Sequence, residues 1–342
     1  MKTFEWSTPR TLEEAVRLLG GGAAAVKGAD TGPFLLAGGQ DLLTSMKEGI
    51  VQPSRVVNLK SVPGLGKIED LGAKGLRIGA LATIDDLSEH AAVKSRFPGL
   101  AEAAKAVASP QIRNLGTVGG NLCQRPRCWY FRLEHVVCLK KGGDTCYSAS
   151  GENKYNSIFG EGPSYIVHPS DLAPMLVALG ATVTIYGAKG ERTIELEKFF
   201  TMPGQGDIKR ENILAADEIV TRVDVPASAF AQKSSYLKFR ERPSLDFAMS
   251  SAAVALAVGA DGRIADARVV LGAVAPIPWR VPKAEAALKG QAANEAAFAK
   301  AAEAALEGAT PLSQNEYKVP LTKTLVRRAL AQAAGVAQAA SR

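Results

Sequence analysis

The chain has 342 residues, with 41 Lys and Arg against 34 Asp and Glu, a formal charge of +7. At 46% hydrophobic and 22% charged residues it has the composition of a folded soluble protein, long enough for two or three domains around a buried core. The basic excess is spread along the chain without a stripe of interleaved aromatics, which argues against nucleic-acid binding, and no apolar run reaches the roughly 18–20 residues of a membrane span.

In chain order, "MKTFEWSTPRTLEEAVRLL" has no apolar signal core, because Glu5, Arg10, Glu13 and Glu14 interrupt it. The expectation is a cytoplasmic protein, with export beside a signal-bearing partner left open. "TLEEAVRLLG" predicts a short amphipathic helix with Thr11 as N-cap, Glu14 three residues on and Gly20 at its end. "PFLLAGG" predicts a buried strand entering a glycine turn, and "QDLLTSMKEG" a helix that starts straight after it. "RVVNLK" and "GLRIGALAT" read as strands, "TIDDLSEH" and "LAEAAKAVA" as helices, with Pro110 breaking the pattern.

From residue 117 to about 160 the chain has little periodicity, and structureless stretches of that length usually serve a function. "SYIVHPSDLAPMLVALGATVTIYG" then predicts a strand, a turn at His168–Ser170, a helix from Asp171 and another strand; "EIVTRVDVP" predicts a strand ending at Pro226. Beyond about residue 228 come strand-like runs in "SSYLKFRER", "AMSSAAVALAV" and "GRIADARVVLGAVAP", followed by Ala-rich helices in "AANEAAFAKAAEAALEG" and "LTKTLVRRALAQAAGVAQAA". Strands followed by helices suggest a separate α+β domain.

Two glycine turns are candidate anion sites. "AGGQDLL" places Gly38 and Gly39 between strand and helix, where backbone N–H groups can approach a phosphate, although plain turn geometry is the simpler explanation of this piece alone. "GTVGGN", Gly116 to Asn121, is a second nest, and the pair could clasp one pyrophosphate from two sides. Neither is G-x-G-x-x-G or a Walker loop. Asp171 is either a helix-start residue or an acceptor for a ribose. His90, His135 and His168 are scattered and read as structural or solvent-facing.

All four cysteines fall within 24 residues, as C-x4-C-x9-C-x7-C at Cys123, Cys128, Cys138 and Cys146. Clustering in a chain without export features favours a metal or cluster site over disulfides. The spacing matches neither a zinc ribbon nor the bacterial ferredoxin run.

Taken together, "LLAGGQDLLTSMK", "IRNLGTVGGNLCQRPRC", "HPSDLAP" and "YLKFRERPSLDFA" form an ordered series. In them the chain resembles, over essentially its whole length, the FAD-binding medium subunit of the molybdenum hydroxylases, the xanthine dehydrogenase and aldehyde oxidoreductase family. The resemblance implies a two-part α+β FAD-binding module of the vanillyl-alcohol-oxidase (PCMH) type over 1–226, with subdomains 1–57 and 58–226, then a smaller α+β domain of the CO dehydrogenase flavoprotein type over 228–342. It implies that Leu35, Leu36, Ala37, Gly38, Gly39, Gln40, Asp41 and Leu42, with Thr117, Val118, Gly119, Gly120 and Asn121, hold the FAD pyrophosphate. Asp171 matches the family's aspartate at the adenosine end, Lys238 a lysine near the flavin and Val220 a flavin-contacting strand residue.

Some members carry a [4Fe–4S] cluster in an inserted loop, here at about 122–160, which makes Cys123, Cys128, Cys138 and Cys146 its candidate ligands. Cys123 is either the fourth thiolate or a plain residue beside the flavin; zinc and no metal at all stay open. The arginines and lysines of the loop would offset cluster charge, face a partner or simply be solvated. The partners implied are a molybdopterin-binding large subunit that oxidises an aldehyde or N-heterocycle and a small subunit with two [2Fe–2S] clusters. Electrons would pass through FAD to an external acceptor. A stand-alone flavin oxidase of the related fold and a zinc-stapled binding protein are the rival readings. The resemblance carries no general acid or base in this chain.

Overall fold

The computed structural model describes residues 1–20 and 30–336. The first lobe runs β1 (Glu5–Ser7), α1 (Leu12–Leu19), β2 (Asp30–Leu36), α2 (Leu42–Lys47) and β3 (Val51–Asn58). Its three strands form a parallel sheet in the order β1-β3-β2. α1 begins where the sequence predicts: the Thr11 hydroxyl accepts from the Glu14 N–H at 3.1 Å, and the Glu14 carboxylate reaches back to the Arg10 N–H at 2.7 Å. That is a capping box displaced by one residue, and it satisfies two backbone donors outside the helix ladder. Ala15, Val16 and Leu19 on the inner face of α1 pack with Val57 and Leu59.

The second lobe contains β4 (Ile68–Asp70), β5 (Gly75–Gly79), α3 (Ile84–Glu89), α4 (Ala91–Arg96), α5 (Pro98–Ala106), α6 (Pro110–Arg113), α7 (Val118–Leu122), α8 (Trp129–Arg132), α9 (Leu172–Ala178), β6 (Thr182–Gly187), β7 (Gly190–Glu195) and β8 (Ile219–Pro226). Its antiparallel sheet has the order β4-β5-β8-β6-β7. The final part comprises β9 (Ser234–Phe239), β10 (Ser250–Val258), β11 (Ile264–Gly272), β12 (Trp279–Arg280), α10 (Pro282–Leu288), α11 (Glu295–Ala305) and α12 (Lys318–Ala334), with sheet order β12-β11-β10-β9.

β10 is apolar on both faces because both are covered. Ala252, Val254 and Leu256 join the core under α10–α12, while Ala253 and Ala255 join the core of α5 and α9. The period of two survives as a choice of core rather than as a choice between core and water.

Three expectations are corrected. "SYIV" forms no strand: its backbone bonds singly, Tyr165 O accepting from Ser157 N and His168 N donating to Ala275 O, each at 2.9 Å. Pro110 opens α6, where its missing N–H costs nothing. The second glycine turn is the start of α7, with Thr117 as N-cap. The tail of the last predicted helix, 337–340, lies outside the described residues. No described helix is long and apolar enough to cross a membrane.

Candidate cofactor cleft

A cleft of about 520 Å³ runs between the first two lobes and reaches the start of the last sheet. Leu35, Ala37, Gly38, Gly39, Gln40, Asp41 and Leu42 line it from the β2–α2 turn. Thr117, Gly120 and Asn121 line it from α7, and Asp171 and Lys238 close the far end. Leu36, Val118, Gly119 and Val220 lie behind this surface, in the cores.

The two glycine segments differ in what they offer. Among the described residues, the N–H groups of Gly38, Gly39 and Gln40 donate to no protein group, so they remain free for an anion. At the second segment they are already used. Val118 N donates to Ala82 O at 3.0 Å, Gly119 N to Ala80 O at 2.8 Å, and Gly120 N to the Thr117 hydroxyl at 3.2 Å. A two-sided amide clasp is therefore not what this fold builds. The second segment contributes close packing and the Asn121 side chain, whose Oδ1 accepts from the Ser170 hydroxyl at 2.5 Å. The segments touch at Gly38, where a Cβ would sit 2.0 Å from Leu115 O.

Asp171 stands at the N-cap position of α9, but its side chain makes no capping bond. The Ser170 hydroxyl caps α9 by accepting from Ala173 N at 2.9 Å. The Asp171 carboxylate accepts from the Tyr236 hydroxyl at 2.7 Å and from Lys238 Nζ at 2.8 Å, and both side chains of the ion pair are nearly sealed, at 6% and 4% exposed. Lys238 also donates to Ala106 O at 3.0 Å. Burial, and then the Asp171 charge, push the Tyr236 phenol far up, so it stays a donor.

The arginines of the cysteine segment are neither solvated nor aimed outward as a set. Arg132 Nη2 pairs with Asp41 Oδ1 at 2.8 Å and Arg127 Nη2 with the same oxygen at 3.0 Å. The Arg125 N–H donates to Asp41 Oδ2 at 2.6 Å. Arg125 also pairs with Asp30 at 3.1 Å and Glu211 at 2.8 Å, and Glu211 takes Lys140 at 2.8 Å. Burial alone would raise the Asp41 carboxyl, but the charges of Arg127 and Arg132 overcome it and hold it below the usual range. Asp41, read from sequence as part of a phosphate turn, is thus the pin that fastens the cysteine segment to that turn.

The cysteines divide three to one. Cys128 and Cys138 share one core and interact electrostatically, as do Cys138 and Cys146. The Lys141 ammonium stands near Cys138 and Cys128, and donates to Leu133 O at 2.5 Å. Cys123 belongs to another core and lines the cleft; burial, and then the Glu211 charge, push its thiol up to about 12. The described residues contain no group of three or more His, Cys, Asp or Glu side chains arranged to hold a metal ion. Cys123 thus stands apart from Cys128 and Cys138, in a different core.

Sequence reasoning missed several cleft residues. Ala108 lines it in a left-handed conformation, φ 41°, that non-glycine residues rarely adopt, and Leu245 and Phe247 reach it from the β9–β10 connection. The positive φ has no sequence signature in an alanine. Leu245 and Phe247 carry a faint signal, as large apolar residues in a connection that opens with charged and turn-forming side chains.

The domain model described as "FAD binding domain in molybdopterin dehydrogenase" matches residues 2–228, and that of the "CO dehydrogenase flavoprotein C-terminal domain" matches residues 235–333. The chain belongs to the FAD-binding medium subunits of the molybdenum hydroxylases. Among its relatives, the aldehyde oxidoreductase FAD-binding subunit PaoB of Escherichia coli is 35% identical over 97% of this chain and 99% of that protein. The nicotine 6-hydroxylase medium subunit of Paenarthrobacter nicotinovorans is 30% identical over 97% and 98%. The solved carbon monoxide dehydrogenase of Hydrogenophaga pseudoflava superposes with a TM-score of 0.74, at 29% identity and 97% coverage of each chain. As a molybdenum-hydroxylase medium subunit, the chain is a flavoprotein oxidoreductase component that transfers electrons through FAD. The stand-alone oxidase and the zinc-stapled scaffold fall away.

Proposed function

We propose that the chain receives electrons from the [2Fe–2S] clusters of a small partner subunit and delivers them through FAD to an external acceptor. A molybdopterin-binding large subunit would oxidise the substrate, an aldehyde or an N-heterocycle, in a pocket outside this chain. FAD supplies the exchange between one-electron delivery and a two-electron product. The protein's part is position and electrostatics.

The observation that carries this reading is the cleft itself. Gly38, Gly39 and Gln40, whose N–H groups donate to no described protein group, line it at one place, and the buried Asp171–Lys238 pair stands at the other end. The free amides suit the pyrophosphate, with Thr117, Gly120 and Asn121 as the opposite wall. Asp171 has both carboxylate oxygens engaged by Tyr236 and Lys238, so its role is to fix Lys238 in place. A lysine held there favours a negatively charged reduced cofactor over the oxidised one. Val220 acts from behind, through the core.

The iron–sulfur part of the proposal rests on the pairwise proximity of Cys128, Cys138 and Cys146, with Lys141 beside two of them as compensating charge; it requires these thiols to draw together from an arrangement that does not itself form a metal site. Cys123 is then a flavin-side residue. Metal analysis of the anaerobically purified complex tests both halves. Full flavin occupancy and, beyond the partner's share, about four irons and four sulfides, retained in Cys123→Ser and lost in Cys138→Ser, is the expected result. Loss of iron in Cys123→Ser would return Cys123 to the ligand set, and a complex from which no flavin can be extracted would overturn the flavin assignment.

A further inference from the structure

A second cavity, of about 300 Å³, opens beside the cofactor cleft. The two share Arg127, Pro169, Asp171, Leu245 and Phe247 along a common wall. The cysteine segment supplies the opposite side with Trp129, Tyr155 and Asn156. Trp129 meets Tyr155 edge-on, ring centroids 5.6 Å apart, and the Arg127 guanidinium lies 4.8 Å from the centroid of Phe247. Trp129 is 52% and Phe247 44% exposed, so the chain itself leaves these rings without full cover.

The cationic side chains at this cavity are each matched by a carboxylate, and Glu152 adds a further negative charge to its lining. Lys154 pairs with Glu241 at 2.8 Å, Arg242 with Asp246 at 2.9 Å, and Arg127 with Asp41 at 3.0 Å. His168, its remaining basic side chain, is sealed, and burial pushes it down to about 4, so it is neutral. A nicotinamide dinucleotide would have to strip one of these pairs to seat its pyrophosphate. The cavity also stands at the small end of ligand pockets, which run from roughly 300 to 1,000 Å³. Aromatic walls, the lack of a spare cation among the lining residues and small volume together select a neutral, planar ring over an anion.

We propose that this cavity binds a neutral planar acceptor of the quinone class beside the flavin, with Trp129 as its principal contact. The proposal rests on the flavin reading above. Reduction of a quinone to its hydroquinone consumes two electrons and two protons; the electrons come from the subunit's own transfer and the protons from solvent at the open rim.

The test uses the assembled complex as purified, its flavin content measured first, and duroquinone, whose ring has no free position for thiol addition. Equilibrium dialysis is expected to give saturable binding. Trp129→Ala should weaken it roughly tenfold, while Trp129→Phe, which keeps a ring, stays within about twofold of wild type. Duroquinone should quench tryptophan emission in the wild type, and Trp129→Phe should lose most of that quenching. Both variants should keep their flavin, because Trp129 does not line the cofactor cleft. Full flavin content with quinone binding unchanged in Trp129→Ala would overturn the proposal, as would displacement of duroquinone by an equal concentration of NAD⁺. Missing flavin in the wild type would instead overturn the reading of the cleft, and the two failures are read on the same sample.

Discussion

At Gly38 an added methyl would meet the Leu115 carbonyl at 2.0 Å, and backbone cannot yield as a side-chain end can. Gly38→Ala must push the β2–α2 turn away from the wall that ends in α7. Overpacking of this kind costs roughly 1–3 kcal/mol. The larger expected effect is on the cofactor: purified Gly38→Ala should show a markedly reduced ratio of flavin to protein absorbance. Lys238 presents the opposite case, a charge removed. In Lys238→Met the Asp171 carboxylate stays buried with only the Tyr236 hydroxyl, and breaking a buried pair in this way costs about 3–5 kcal/mol. Denaturant titration of the variant should locate a loss of that size. Cys123 gives a chemical readout, since the thiolate is the reactive form. With its thiol held up to about 12, it should be the slowest of the four cysteines to alkylate in protein stripped of metal at pH 8. Mass spectrometry of the labelled peptides measures this. The type and spacing of the four thiols are plain in the sequence, but their division is not, because nothing local distinguishes Cys123 from Cys128 five residues on. That depends on which core each side chain enters.

On the scale of elements, the cysteine segment behaves as an extension of the β2–α2 turn, fastened through Asp41. Three of its donors converge on that one carboxylate. Asp41→Asn keeps the shape and removes the charge, leaving Arg127 and Arg132 poorly compensated. Amide exchange in residues 124–132 is expected to accelerate about tenfold or more, the equivalent of roughly 1.4 kcal/mol. Acid should do the same to the wild type. Because the folded Asp41 pKa lies below its unfolded value, its stabilisation is present above about pH 4 and is lost as pH falls through the folded pKa. α1 and α11 were legible because apolar spacing and a capping Thr11 or Asn294 agree, α5 through its helix-forming Ala-rich run, and β10 through its unbroken apolar run. α7 and α8, five and four residues long, were not, since fewer than two turns carry no period. Nor was the consumption of the α7 amides, which depends on Ala80 and Ala82 lying alongside after a long excursion in sequence.

On the scale of the whole molecule, one buried lysine joins parts that sequence alone keeps separate. Lys318, fully buried at the start of α12, donates to Tyr155 O at 3.0 Å and to Ala273 O at 2.8 Å. Tyr155 belongs to the cysteine segment, and Ala273 follows β11 in a left-handed conformation, φ 59°. Burial without a carboxylate partner pushes the ammonium down to about 7. In the unfolded chain the amine titrates near 10.4. Between these values the unfolded state binds the extra proton, so stability rises with pH across the window from about 7 to 10 and that gain is absent below it. Lys318→Met removes the titration but strands two carbonyls, each left without its donor at a cost of about 1–3 kcal/mol. The variant should therefore be less stable than wild type at pH 9. The gap should narrow towards pH 6, where the wild type must hold a charged amine in the same place. Urea titrations of both proteins at pH 6, 7, 8 and 9 measure the difference. A gap that stays constant across that range would mean that Lys318 keeps its charge throughout, stabilised by the carbonyl dipoles, and that the link it makes between α12 and the cysteine segment is insensitive to pH.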